Sequence, residues 1–305
     1  MGFVPENVSN PFFVSMHYGA EQEAKALGVH LIFQGTSGTP TPTNQLPYVD
    51  AVLAEHPSAF VLGPTDPSAL MPAVQQAHSS GIPVVTVDTT VSDTSLLASR
   101  ITGDNVGGGG LAAGLLNTAL GGKGQVYVMF GSPSFTTENL RMQGFKAKLP
   151  QYPGLKYEGF VDTNDVASNA ETDTAHVLSR FPSLRGIFAV SDFIASGVVS
   201  QLASDSKGSQ VKVVAYDAEP DEVAALRKGQ LTGLIAQRAA VEGSLAVLYA
   251  YDAATHHTAN VVKSVIVPDV LLTPSTLANS SKWFYCSSLS NCSGAWQPTK
   301  ANGAP

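Results

Sequence analysis

Short continuous apolar runs, each followed by a segment of helical periodicity, recur along almost the whole chain, and this alternation constrains the fold most. The runs at 29–33, 59–62, 82–87, 125–130, 186–190 and 211–216 are unbroken rather than alternating with polar residues. Strands buried on both faces have this pattern, as in a parallel sheet covered by helices. Between them, 13–27 places Phe13, Met16, Ala20, Ala24 and Leu27 on one helical stripe, and 69–79 and 193–204 behave similarly. Gly28, Gly81 and Gly229 stand where helix C-caps are expected. Strand–helix alternation implies βαβ units with right-handed crossovers, and hence an α/β fold of doubly wound parallel sheets. The 305 residues exceed one typical domain and suit two.

The chain shows places where it could pass from one domain to the other. The strand at 100–105 runs into Gly107–Gly110, which reads as a crossing before a new helix at 111–120. A second crossing is expected at 235–237, before a helix at 241–254. A last strand at 264–267 stops before Pro268, and the Ser-, Asn-, Gly- and Pro-rich segment from Asn279 is expected to be irregular.

Composition excludes several classes of function. Apolar residues make up 44% and charged residues 13%, the reverse of a disordered chain. The net charge is −7 and no basic run occurs, so nucleic acid is not an expected partner. No uninterrupted apolar stretch is long enough to span a bilayer. Residues 1–5 already read as the first strand, and any export segment is expected to lie outside this sequence. Cys286 and Cys292, with five residues between them, could be two free thiols or close a small disulfide loop. The loop is the expectation, and it points to an oxidising compartment. The spacing suits neither a redox C-x-x-C pair nor a zinc site.

In open parallel sheets, ligands bind beyond the carboxyl ends of the strands. The residues there are repeatedly polar: Pro64-Thr65-Asp66, Asp88-Thr89, Asp162-Thr163-Asn164-Asp165, Ser191-Asp192, Tyr216-Asp217 and Gln237. Such groups can form paired hydrogen bonds to vicinal hydroxyls. Any one of them could instead be the N-cap of the next helix, and Asp66, followed by Pro67, is expected to be one. Recurrence in both halves favours a shared ligand-binding role.

The ordered series Asn10-Pro11-Phe12-Phe13, Pro64-Thr65-Asp66, 81–88, Asp104-Asn105, Arg141-Met142-Gln143-Gly144-Phe145, 187–192, 214–217 and 235–237 resembles the type I periplasmic sugar-binding proteins of ABC transporters, the ribose- and galactose-binding kind. The resemblance covers residues 1 to 275 or so. It implies two similar lobes joined by three hinge crossings, 1–105 with 239–264 and 106–238 with 265–278, leaving 279–305 as a tail. It further implies capture of a sugar or polyol by hinge closure, a membrane permease as partner, a monomeric state and an extracytoplasmic location. Carried over by position, Asn10, Asp88, Arg141, Asp217 and Gln237 are polar ligand contacts, and Phe13 stacks on the apolar face of the sugar. Glu6, Phe12, Thr89, Asp165, Ser191, Asp192 and Tyr216 complete the expected site. The sequence departs from the ribose pattern at Glu6, Thr89 and Ser191, and has Asn164 and Asp165 where a second stacking aromatic is expected. A more acidic, less aromatic pocket follows, suited to a polyol, a modified sugar or a ligand carrying a positive group.

Other motifs carry little. Gly108-x-Gly110-x-x-Ala113 matches a dinucleotide fingerprint but has no well-placed acidic residue after it. No nucleophile elbow, Walker A or zincin sequence occurs, and no cofactor or metal is expected. His256-His257 reads as an exposed helix end, and the Asn-x-Ser sequences are matches by pattern only. Two other functions share these features. A lactose-repressor-type regulator shares this two-lobed ligand-binding domain and carries a DNA-binding helix-turn-helix ahead of it, which truncation at Met1 could hide; the cysteine-bearing tail argues against this reading. A glycosidase could use paired carboxylates such as Asp88 and Asp217, but no nucleophile–base constellation accompanies them.

Overall fold

The computed structural model describes residues 1–292, which divide into two compact units. Unit 1 comprises 1–103, 238–267 and the segment from Tyr285; unit 2 comprises 104–237 and 268–284. The first passage falls at 103/104, two residues before the position read from sequence, because Asp104 belongs with the helix it caps: its Oδ1 accepts from Gly107 N at 3.0 Å. The second and third passages fall at 237/238 and 267/268, against 238/239 and 264/265 read from sequence, so that all of 264–267 belongs to unit 1, and the chain adds a fourth at 284/285.

Unit 1 opens with β1 (Gly2–Val4), α1 (Pro11–Leu27), β2 (Ile32–Phe33), α2 (Pro42–Ala54), β3 (Phe60–Leu62), α3 (Met71–Ser79), β4 (Val84–Val87) and β5 (Ser99–Gly103). Unit 2 follows with α4 (Asn105–Ala119), β6 (Gly124–Phe130), α5 (Thr136–Lys148), β7 (Leu155–Asp162), α6 (Ala167–Arg180), β8 (Leu184–Ala189), α7 (Asp192–Ser204), β9 (Lys212–Tyr216), α8 (Pro220–Arg227) and β10 (Gly233–Ala236). The chain returns to unit 1 for α9 (Ala239–Ala254) and β11 (Ser264–Val267), then adds β12 (Val270–Leu272) to unit 2.

Each unit is built on a six-stranded sheet of the same winding, β2-β1-β3-β4-β5-β11 in one and β7-β6-β8-β9-β10-β12 in the other. All pairings are parallel except β10 with β12, where three residue pairs run antiparallel. The apolar runs form the central strands: Phe60, Val61 and Leu62 of β3 are fully buried, as are Ile187 and Phe188 of β8. In unit 2, Phe145 of α5 stacks on Phe188 at 5.2 Å. Gly28 ends α1 in the left-handed conformation, at φ 68°.

One local reading is corrected. Gly107–Gly110 is not a linker before a helix at 111; α4 begins at Asn105 and carries the glycines within it. Two of them allow close approach. A Cβ at Gly108 would strike the Tyr216 hydroxyl, and one at Gly109 would strike the Arg141 carbonyl. The dinucleotide-like spacing thus serves packing of α4 on α5 and β9.

In unit 1, α1 and α9 pack at equally short range, since a Cβ on Gly19 would overlap the Ala240 carbonyl. Gly19→Ala should force this helix pair apart and destabilise the protein by about 1–3 kcal/mol, measurable by urea unfolding. An unchanged midpoint would show that the helices can separate at no cost.

Candidate functional site

In each unit, polar side chains collect past the carboxyl ends of the strands. In unit 1, Glu6 lies just beyond β1 and is buried. The Thr89 hydroxyl, beyond β4, is 2.9 Å from Glu6 Oε1 and 2.8 Å from the Pro64 carbonyl. Buried Gln45 of α2 ties these loops together. Its Nε2 donates to the Pro5 and Gly63 carbonyls, and its Oε1 accepts from Thr65 N. Asp66 is a cap, as its context suggests: Oδ1 accepts from Ser68 N and Ala69 N. Asn10 also caps a helix, accepting from Phe12 N at 2.8 Å at the start of α1. The first turn of α1 carries Phe12 and Phe13, whose rings meet edge-on at 5.0 Å.

Both units share one local device. Asp88 follows β4 with φ 65°, and Asp217 follows β9 with φ 84°. The backbone N of Asp88 donates to Ile101 O of the neighbouring strand at 2.9 Å, and that of Asp217 to Ile235 O at 2.8 Å. Aspartate tolerates the left-handed region better than most residues. The adjacent strand therefore fixes the backbone at which each carboxylate emerges.

The richest constellation lies in unit 2 around Arg141 of α5, which is 4% exposed. Its Nε donates to Asn105 Oδ1 at 2.8 Å and its Nη1 to the Val190 carbonyl at 2.9 Å. Nη1 also lies 3.8 Å from Asp217 Oδ2, and the guanidinium sits 3.8 Å over the Tyr216 ring. Asp217 Oδ1 accepts from Gln237 Nε2 at 2.7 Å. The Ser191 hydroxyl donates to Asp165, and the Tyr216 hydroxyl to Asp269. Glu138, one turn before Arg141, accepts from Ser132 N at 2.6 Å. Glu222 accepts from Glu219 N at 3.0 Å within the cap of α8.

One guanidinium thus serves several carboxyl groups, and burial dominates their titration. It pushes Asp192 up to about 8, aided by the charges of Asp217 and Asp165. Asp269 is pushed up to about 7 by burial, opposed by the Tyr216 hydroxyl and Arg141. Glu138 and Glu222 stand well above the usual carboxylate range, again through burial first and neighbouring carboxylates second. Asp165 is raised by burial against the pull of Ser191, Glu138 and Arg141. Protonated carboxyls donate, ionised ones accept, and the guanidinium donates in a fixed fork. Such a mixed set matches hydroxyl groups, which do both. Among the described residues, no group of three or more His, Cys, Asp or Glu side chains has the geometry to hold a metal ion.

Sequence reasoning places Arg141, Asp165, Ser191, Asp192, Tyr216, Asp217 and Gln237 in one unit, and Glu6, Asn10, Phe12, Phe13, Asp88 and Thr89 in the other. It misses Gln45, Asn105, Glu138, Glu222 and Asp269. Of these, Asn105 stands in the ordered series that carries the family resemblance, though without an assigned role, and Glu138 lies three positions before Arg141 on the same helix face.

Carboxyls raised above their unfolded value near 4 bind more protons in the native state than in the unfolded chain. The ligand-free protein should therefore lose stability as pH rises from about 4 through the native values of Asp269 and Asp192, about 7 and about 8. Urea unfolding at about pH 5 and about pH 8.5 checks this, and Asp192→Asn should flatten the slope. Stability rising over that interval would overturn the assignment.

A family model for the periplasmic binding protein domain matches residues 1–258. The ribose import binding protein of Bacillus subtilis is 28% identical over 268 residues, 88% of this chain and 85% of that protein. An ABC transporter solute-binding protein from Agrobacterium vitis, solved with α-D-tagatopyranose, is 31% identical; the match covers 93% of this chain and 98% of that one, with a TM-score of 0.88. A periplasmic solute-binding protein from Actinobacillus succinogenes with bound D-allose is 26% identical, covering 91% and 98%, with a TM-score of 0.84. With a family match over most of its length and sheets of the same kind, the chain belongs to the periplasmic binding protein domain family, as a type I solute-binding protein of the ABC-transporter kind.

Proposed function

We propose that this protein is an extracytoplasmic receptor that captures a neutral, hydroxyl-rich ligand, a sugar or cyclic polyol, and delivers it to the permease of an ABC importer. The observation that carries this reading is the buried constellation of Arg141, Asp217 and Gln237 among carboxyls held by burial between donor and acceptor states. The relatives add weight: one is named for ribose import, and two were solved with tagatose and allose. Phe13 supplies an apolar ring face, and Asn10, Asp88, Arg141, Asp217 and Gln237 the polar contacts. Glu6, Phe12, Thr89, Asp165, Ser191, Asp192 and Tyr216 complete the set.

Capture proceeds by hinge closure, each unit contributing its own polar groups to the free energy. The receptor acts as a monomer, without nucleic acid and without a catalytic step. The Cys286–Cys292 disulfide supports an oxidising compartment. No helix among the described residues is long and apolar enough to cross a membrane.

A thermal-shift panel of pentoses, hexoses, polyols, sugar acids and amino compounds tests the reading. Ligand at about 100 times its Kd stabilises the native state by about 2.7 kcal/mol, a rise of roughly 5–10 °C. A response confined to charged or amino-bearing compounds would redirect the site, and silence from protein stripped of ligand by refolding would end the sugar reading. Arg141→Lys keeps the charge but loses the fork, and Asp88→Asn tolerates the left-handed backbone. Each should weaken binding of the responding sugar at least about tenfold in calorimetry with the fold intact. Unchanged affinity in either would remove that residue from the site.

A further inference from the structure

The family match ends at residue 258, yet the chain beyond it returns to the aromatic turn at the start of α1. Phe284 belongs to unit 2, where Arg227 lies over its ring at 5.5 Å. The next residue, Tyr285, belongs to unit 1 and is 5% exposed. Its ring meets Phe12 edge-on at 5.5 Å, and Phe12 in turn meets Phe13 at 5.0 Å. Three rings thus run in series from the extension to the residue assigned to the sugar face.

The backbone of the extension is fastened at the same place. Cys286 N donates to the Ser15 hydroxyl at 2.9 Å, and that hydroxyl donates to the Pro11 carbonyl at 2.9 Å. Cys286 is bonded to Cys292. The loop so closed has its own internal order, with Ser288 N donating to Asn291 Oδ1 at 3.1 Å and Asn291 Nδ2 to Ser287 Oγ at 2.9 Å. The first N–H groups of a helix have no acceptor within the helix, and at α1 the Asn10 side chain holds Phe12 N without fixing the rings. Orientation of Phe12 and Phe13 therefore depends on what packs against them.

We propose that residues 285–292 are a disulfide-closed clip that holds the first turn of α1 in its ligand-binding conformation, with Tyr285 as a positioning residue for the aromatic pair. The proposal rests on the reading of Phe12 and Phe13 as sugar contacts. Tyr285 acts through Phe12 and touches no ligand itself. The ligand class favoured is a pyranose or cyclic polyol with an apolar CH face.

The test uses the full chain as wild type, Tyr285→Ala, Tyr285→Phe and the Cys286→Ser/Cys292→Ser double variant. In the ligand-free protein, Tyr285→Ala and the double variant should raise amide hydrogen exchange of Val14 to Met16 about tenfold, leaving α6 of unit 2 unchanged. In calorimetry with D-tagatose and D-allose, Tyr285→Ala should weaken binding about three- to tenfold, and Tyr285→Phe, which keeps the ring, should restore both readouts. Unchanged exchange in Tyr285→Ala and in the double variant would overturn the clip. Raised exchange with unchanged sugar affinity would reduce it to a structural brace and overturn the positioning role. A wild type that binds no sugar in the wider panel would sink the functional reading and the ligand half of this proposal, while the exchange result still decides whether the clip holds α1.

Discussion

Unit 2 is organised by a buried guanidinium. Arg141 reaches the first residue of α4, the carbonyl that ends the β8 segment and the carboxylate that follows β9, with the Tyr216 ring beneath it. Three layers of the unit therefore converge on one side chain. Removing a buried charge from such a network costs about 3–5 kcal/mol, because the partners remain buried without it. Burial raises the carboxyls around it, Asp192 to about 8 and Asp269 to about 7. The polarity of this constellation is thus set by burial as much as by residue type.

Unit 1 reaches a similar end with less charge. Gln45 there does by amide hydrogen bonds what Arg141 does in unit 2, joining the loops after β1 and β3. The left-handed aspartate is common to both units, locked in each by the adjacent strand. The acidic character inferred from Glu6, Asn164 and Asp165 is divided: Glu6 and Asp88 are buried in unit 1, and in unit 2 Glu138 and Glu222 add to Asp165.

Central strands were legible in the sequence because burial on both faces leaves mainly apolar residues in β3, β4, β6, β8 and β9. Elements at the margins were not. The edge strand β7 exposes much of its length and breaks the apolar pattern, α2 carries Pro47 inside it, and β12 is antiparallel and three residues long. The glycines of α4 look like a linker because sequence shows their low helix propensity and hides the Tyr216 hydroxyl and Arg141 carbonyl that require them. Strand-end aspartates could be picked out from position alone. Asp269 and Glu222 could not, since what makes them part of the constellation is tertiary packing around Tyr216 and Asp217. Asn10 reads from sequence as a ligand contact alone; the capping bond that its Oδ1 accepts from Phe12 N is compatible with a ligand role for its amide nitrogen.

The winding of the chain has a consequence for its manufacture. The sheet of unit 1 is finished by β11, which pairs with β5 across an interval of 164 positions, as between Arg100 and Ser264. At about 5–20 residues per second, the ribosome takes roughly 8–30 s to cover that interval, during which most of unit 2 is made. Through this time β5 is an open sheet edge and α1 lacks α9. A half-made receptor of this kind is an adhesive object, and a chaperone that covers sheet edges would find its substrate in unit 1 rather than in unit 2.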